Sequence, residues 1–218
     1  MIAIFLDLDG TLIDPKPGIT GAIRYALGEM GAEVPDADAL TWCIGPPIRQ
    51  NFDILLGPGA DLEAAVEHYR EHFAAGAMYE AELYDGVGEM LLDLRATGAG
   101  LWLATSKAED FATKIVEHFD IAPLIDGVFG SRPDGSLADK PTLLAHALAE
   151  TEADAARSVM LGDRRFDVEG ARANGLAAIG ALWGYGEEGE LHLAEADALA
   201  AAPEDVLDLV ADLLGLEL

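Results

Sequence analysis

Two carboxylates, Asp7 and Asp9, follow directly on the apolar run Ile2-Ala3-Ile4-Phe5-Leu6. If that run is a strand, Asp7-Leu8-Asp9-Gly10-Thr11 lies at its carboxyl end, the edge at which open α/β sheets bind ligands. Two acids so placed can share one reactive centre. One can attack an electrophile while the other exchanges a proton with a leaving oxygen. Gly10 lets the chain turn sharply there. The stretch also echoes the start of a calcium-binding loop, but that loop needs Gly at its sixth position and Glu at its twelfth. Those places hold Leu12 and Gly18, so the calcium reading fails. A capped turn with two solvated carboxylates is the plain alternative.

Three further places carry groups of the same kind. Thr105-Ser106-Lys107 ends the apolar run Leu101–Ala104; a hydroxyl at a strand end can donate to a phosphate oxygen, although Ser and Thr cap helices everywhere. Lys140, just before Pro141, can neutralise an anion or simply face solvent. The chain has only four lysines (Lys16, Lys107, Lys114 and Lys140), and two of them fall at these places. Asp163 and Asp167, after Val159-Met160-Leu161, are four residues apart and share a face if a helix begins there. Hard carboxylates from separate loops suit Mg²⁺, while acids that merely stabilise a helix N-terminus are the plain reading.

The elements that must position these groups are short apolar runs: residues 2–6, 101–104, 128–129, 159–161 and 177–182. Continuous rather than alternating hydrophobicity predicts strands covered on both faces, as in a parallel sheet. Helical spacing lies between them, over 86–96, 111–119, 142–149, 168–173 and after Pro203. The alternation predicts an α/β fold with a doubly wound parallel sheet, Rossmann-like. From about Pro17 to Tyr84 the pattern is helical throughout (18–30, 48–55, 62–77), with turn residues at entry and exit. The expected division is a core of residues 1–15 and 85–218, with a helical cap, residues 16–84, inserted after the first motif.

Composition bounds the partners. Half the residues are apolar (51%), enough for a sizeable core, while 13 basic against 40 acidic residues give a net charge of −27. So acidic a surface repels nucleic acids and anionic membranes, so neither is an expected partner. Cys43, the single cysteine, sits in an apolar stretch and reads as a buried small hydrophobe. The apolar start is short and lacks a basic stretch before it, and no run of 18 apolar residues occurs, so neither a secretion signal nor a membrane span is expected, and the cytoplasm is the expected location.

Four such places in order, each at the carboxyl end of an expected strand, resemble the haloacid dehalogenase superfamily of phosphatases over nearly the whole chain. The resemblance implies Asp7 as nucleophile, Asp9 as general acid/base, Thr105 as phosphate binder and Lys140 as charge stabiliser. It implies a Mg²⁺ site of Asp7, Asp163, supporting Asp167 and the Asp9 carbonyl. Gly10, Thr11, Ser106 and Lys107 are expected at the substrate. The inserted helices, Gly170–Gly175 and Trp183-Gly184-Tyr185-Gly186 are similar to the phosphoglycolate-phosphatase-like branch, which puts phosphoglycolate first among small phosphate monoesters. Pro15 departs from the Ser common at that place and stiffens the hinge.

Alternatives differ in class. They are a 5′-nucleotidase, a sugar phosphomutase, a dehalogenase (against which Asp9 speaks, since it has no oxygen to protonate there) and a non-catalytic sensor of phosphorylated metabolites. Arg49 in the cap can grip a second anionic group on the substrate or lie idle on the surface. His68-Tyr69-Arg70-Glu71-His72 fits an inverted zinc-protease pattern but lies away from every expected strand end, so a solvated cap helix is the default. A monomer or homodimer is expected.

Overall fold

The computed structural model describes residues 1–216. Its strands are β1 (Ala3–Leu6), β2 (Ile13–Asp14), β3 (Glu82–Leu83), β4 (Gly100–Ala108), β5 (Gly127–Ser131), β6 (Ser158–Gly162), β7 (Ala177–Ala181) and β8 (Ala198–Ala200). Its helices are α1 (Lys16–Glu29), α2 (Ile48–Leu56), α3 (Leu62–Ala74), α4 (Val87–Ala96), α5 (Glu109–His118), α6 (Lys140–Thr151), α7 (Arg165–Asn174), α8 (Glu190–Leu193) and α9 (Val206–Leu214). No described helix is long and apolar enough to cross a membrane.

Six strands form one parallel sheet in the order β5-β4-β1-β6-β7-β8. β1 is central, its Ala3 in register with both Gly100 and Ser158. The chain builds outward from β1 on both sides, so the crevice at its carboxyl end is the place where such sheets bind ligands. The continuous hydrophobicity of β1 has its reason here. Ile4 and Leu6 face the cluster that includes Leu94, Ile115 and Val206 from α4, α5 and α9, while Ala3 and Phe5 face Leu143, Leu144 and Val168 from α6 and α7. Side chains alternate faces along a strand, and both faces are covered.

The expected α/β class is the observed one, with differences in detail. β8 arises from Ala-rich sequence that carries almost no strand signal; it adds to the sheet edge through pairs such as Ile179 with Ala198. β3 falls inside the stretch read as strand-free and pairs antiparallel with β2, Ile13 opposite Leu83 and Asp14 opposite Glu82. This two-stranded ribbon ties together the two chain crossings into the helical insertion. α3 stops at Ala74 rather than 77, where Gly76 takes φ +149° and a 3₁₀ turn follows. One apolar cluster runs unbroken from the α4/α5 face of the sheet to Phe52, Tyr69 and Phe73 in the insertion, called the cap below.

Candidate active site

Four chain segments meet at the carboxyl end of β1. Asp7 leaves the strand while its N–H still donates to Leu161 O at 2.9 Å. Gly10, at φ +86°, closes the turn and lies so near Asp163 that any Cβ there would strike that carboxylate. β6 then delivers Asp163, and α7 delivers Asp167 at its third position, where the carboxylate reaches back to the Arg164 N–H at 3.1 Å. Asp139 caps α6 by accepting from Thr142 N, which places Lys140 at the first helical residue. A Cβ at Gly170 would meet the Lys140 Cβ at 2.7 Å, so the glycine lets α7 approach.

The result is a buried charge cluster. Carboxylate oxygens of Asp7, Asp163 and Asp167 lie within 4.8 Å of one another. The Lys140 Nζ is 2.8 Å from Asp7 Oδ1 and 2.6 Å from Asp167 Oδ1, and donates to Ala104 O at 2.7 Å. Burial alone would lower the ammonium's pKa, but Asp167 and Asp7 outweigh it and hold it above its ordinary value. Burial, then the charges of Asp7 and Asp167, push the Asp163 carboxyl well above the carboxylate range. Burial also raises Asp167, against the opposing pull of Lys140. Three buried carboxylates, two of them paired with the Lys140 ammonium, offer hard oxygen donors that fit a divalent cation such as Mg²⁺.

Asp9 stands outside that cluster. Its Oδ2 pairs with Lys107 Nζ at 2.9 Å, and its Oδ1 is buried with no partner among the described residues. Burial raises its pKa, partly offset by Lys107. Thr105 is buried, and its hydroxyl oxygen accepts from Lys107 N at 3.2 Å. Lys107 also lies over the Phe73 ring, 4.5 Å from its centre.

The remaining expected contacts sort differently. Ser106 and Lys107 line a cleft of about 260 Å³ between core and cap, together with Val66, Tyr69, Phe73 and Phe111. Thr11 instead serves the acidic cluster, donating to Asp163 Oδ1 at 3.2 Å. Arg49 is on the same cleft but ion-paired with Glu63 of α3. The two histidines of the zinc-like pattern do not converge: His72 stacks on Tyr25, and His68 lies 3.9 Å from Glu71. The acidic cluster is the one metal-like grouping among the described residues.

Three residues to which the sequence pattern gives no role order this site. Tyr185 donates its N–H to Asp163 Oδ2 at 2.7 Å and its hydroxyl to Asp14 beside β3, and Trp183 Nε1 donates to Thr11 O at 3.0 Å. Arg164 reaches into the cap. The available signal was position: polar aromatics just past β7 fall on the ligand-binding edge.

A family profile described as haloacid dehalogenase-like hydrolase matches residues 4–181. The chain is 42% identical over 183 residues to a tyrosine-protein kinase, PtkA, of Mycobacterium tuberculosis, covering 84% of this chain and 62% of that protein's length. It is 41% identical over 189 residues to a 5′-nucleotidase of Pseudomonas aeruginosa, covering 86% of each. The crystal structure of a predicted phosphatase from Clostridium acetobutylicum superposes with a TM-score of 0.91 at 33% identity, covering 97% of this chain and 99% of the other.

Proposed function

Because the chain belongs to the haloacid dehalogenase-like hydrolase family, we propose that it is a Mg²⁺-dependent phosphate-monoester hydrolase acting through an aspartyl-phosphate on Asp7. The observation that carries this reading is the convergence of Asp7, Asp163, Asp167 and Lys140, with Asp9 adjacent but outside the cluster. Asp7, Asp163 and Asp167, with the Asp9 carbonyl, would hold the cation. When bound it would neutralise charge between a carboxylate and a phosphoryl group that otherwise repel.

The chain's own groups supply the rest. Asp7, oriented by Lys140, attacks phosphorus; its oxygen gains the bond that the leaving oxygen loses. Asp9 gives its proton to that leaving oxygen. The unpartnered Oδ1 suits this role, because Lys107 orients the other oxygen and leaves Oδ1 free. Asp9 then takes a proton from the water that attacks the aspartyl-phosphate, and the Asp7–phosphorus bond breaks. Thr105 and Lys140 stabilise charge on the transferring group, and the cap keeps bulk water out. The same Asp9 disfavours dehalogenation, which has no leaving oxygen to protonate.

For the substrate, we place a nucleoside monophosphate ahead of phosphoglycolate, the reverse of the order that the sequence resemblance implied. Its wall of Val66, Tyr69, Phe73 and Phe111 offers apolar and aromatic surface that a base can contact and a two-carbon acid cannot use. The Pseudomonas relative's name supports the same order. The test is phosphate release from nucleoside 5′-monophosphates, phosphoglycolate, phosphotyrosine and a hexose phosphate, with and without Mg²⁺. Metal-dependent release with kcat/KM highest on a nucleotide is expected. No release from any ester would remove the hydrolase reading, and re-transfer to a second hydroxyl of the sugar phosphate would make the protein a mutase.

A further inference from the structure

Arg164 lies between two carboxylates of the acidic cluster, Asp163 and Asp167, yet its side chain turns away from both. Its hydrogen bond to them is made by the backbone N–H, which donates to Asp167 Oδ2. Its Nη1 crosses to the cap and donates to the carbonyl oxygens of Ile44 and, at 3.4 Å, Trp42, while Nε donates to Glu190 Oε1 at 3.0 Å. The residue is 7% exposed. Glu190 is itself fixed by the N–H groups of Arg165 at 2.8 Å and Glu187 at 2.9 Å. The intervening cap carbonyl, that of Cys43, accepts from Asn51 Nδ2 at 2.7 Å. Three successive carbonyls of the cap are thus held by side chains, two of the carbonyls by Arg164 of the core and the third by Asn51 of the cap.

The next cap residue explains how the parts come so close. Gly45 has φ +103°, and a Cβ there would meet the Arg164 Cγ at 2.8 Å. From Gly45 to Arg49 the cap then lines the substrate cleft. A planar guanidinium can serve carbonyls on one side and a carboxylate on the other; a lysine ammonium, as a point charge, cannot span the same set.

We propose that Arg164 is a positioning residue that docks cap residues 42–49 onto the turn that carries Asp163 and leads into Asp167 of α7, so that this acidic turn sets the width of the substrate cleft. The role rests on the phosphatase reading for its meaning, but the docking itself has an independent readout. If Arg164 were merely a structural ion pair with Glu190, its loss would weaken the whole fold and every substrate equally.

The experiment compares wild type with Arg164→Met, which keeps the stem and deletes the guanidinium. Hydrogen exchange of the metal-free proteins is followed by mass spectrometry. Amides of residues 40–48 are expected to exchange about tenfold faster in the variant, with β1 and β6 unchanged. With Mg²⁺, KM for the preferred ester should rise about tenfold while kcat falls less than about threefold, and preference over p-nitrophenyl phosphate should shrink. Unchanged exchange at 40–48, or faster exchange spread over the sheet with equal loss on both esters, would overturn the proposal. Should Arg164→Met not fold, Arg164→Lys is read by the same exchange pattern and the same two outcomes. A wild type without phosphatase activity leaves the exchange result decisive for docking, so the two failures remain distinct.

Discussion

The ammonium of Lys140 sits 2.8 Å from the Asp7 carboxylate although 133 residues separate them in the chain. It is also 2.6 Å from Asp167, so it bridges two of the three buried acids. Lys140→Met should lower kcat by about 10² to 10³, the usual cost of removing one donor to developing charge. It should also destabilise the metal-free protein by about 3–5 kcal/mol, because the remaining buried charges lose their partner. Urea titration and steady-state kinetics on the variant check both. Activity within threefold of wild type would remove Lys140 from the site.

Without metal, the acids make the fold sensitive to pH in a definite direction. Burial raises the carboxyls of Asp9, Asp163 and Asp167 above their unfolded values near 4. Between the unfolded and folded values the native state therefore binds more protons than the unfolded state, and stability falls as pH rises through that window. Chelator-treated protein should show a higher Tm at pH 5 than at pH 7.5, and added Mg²⁺ should raise Tm more at pH 7.5. A pH-independent Tm with no response to Mg²⁺ would show that the cluster neither carries this charge nor takes the cation.

Asp9→Asn removes the proposed proton donor and leaves the acidic cluster intact. The expected loss in kcat is about 10²- to 10⁴-fold on an alkyl phosphate. With p-nitrophenyl phosphate, whose leaving oxygen needs little protonation, the first step should suffer much less. Equal losses in the first step itself, read from the pre-steady-state burst of alcohol and of nitrophenol, would remove Asp9 as the acid that protonates the leaving oxygen.

Cys43 offers a check on the cap. Burial pushes its thiol up to about 12, against the lowering effect of Arg164. Ellman's reagent should leave the native protein unmodified and titrate one thiol in guanidinium. Rapid native modification would show that the cap segment does not pack as described.

Much of this arrangement was legible from residues alone, for identifiable reasons. Asp7, Thr105 and Asp163 each lie at the end of an apolar run, and a parallel sheet brings such ends to one edge whatever their separation in sequence. Lys140 was marked by the scarcity of lysine and by Pro141. Tyr185, Trp183 and Arg164 went without roles because each makes a contact in which one partner is a backbone atom: Asp163 meets the Tyr185 N–H, Thr11 O meets the Trp183 ring, and Ile44 O meets Arg164. Such contacts need only a geometry that no spacing reveals. β8 was missed because Ala198-Leu199-Ala200 has little strand propensity and pairs only because β7 offers an edge. Thr11 was expected at substrate because it adjoins the first motif, but the turn at Gly10 directs its hydroxyl to Asp163.

The central claim is that Asp7 itself becomes phosphorylated. Enzyme turning over its preferred ester with Mg²⁺ is quenched, treated with borohydride to reduce any acyl phosphate, and digested for mass spectrometry. Reduction of the carboxyl at position 7 to an alcohol, and its absence without substrate or in Asp7→Asn, is the predicted result. Steady phosphate release with position 7 unmodified under conditions that trap acyl phosphates, or with the mark on another carboxylate, would contradict it.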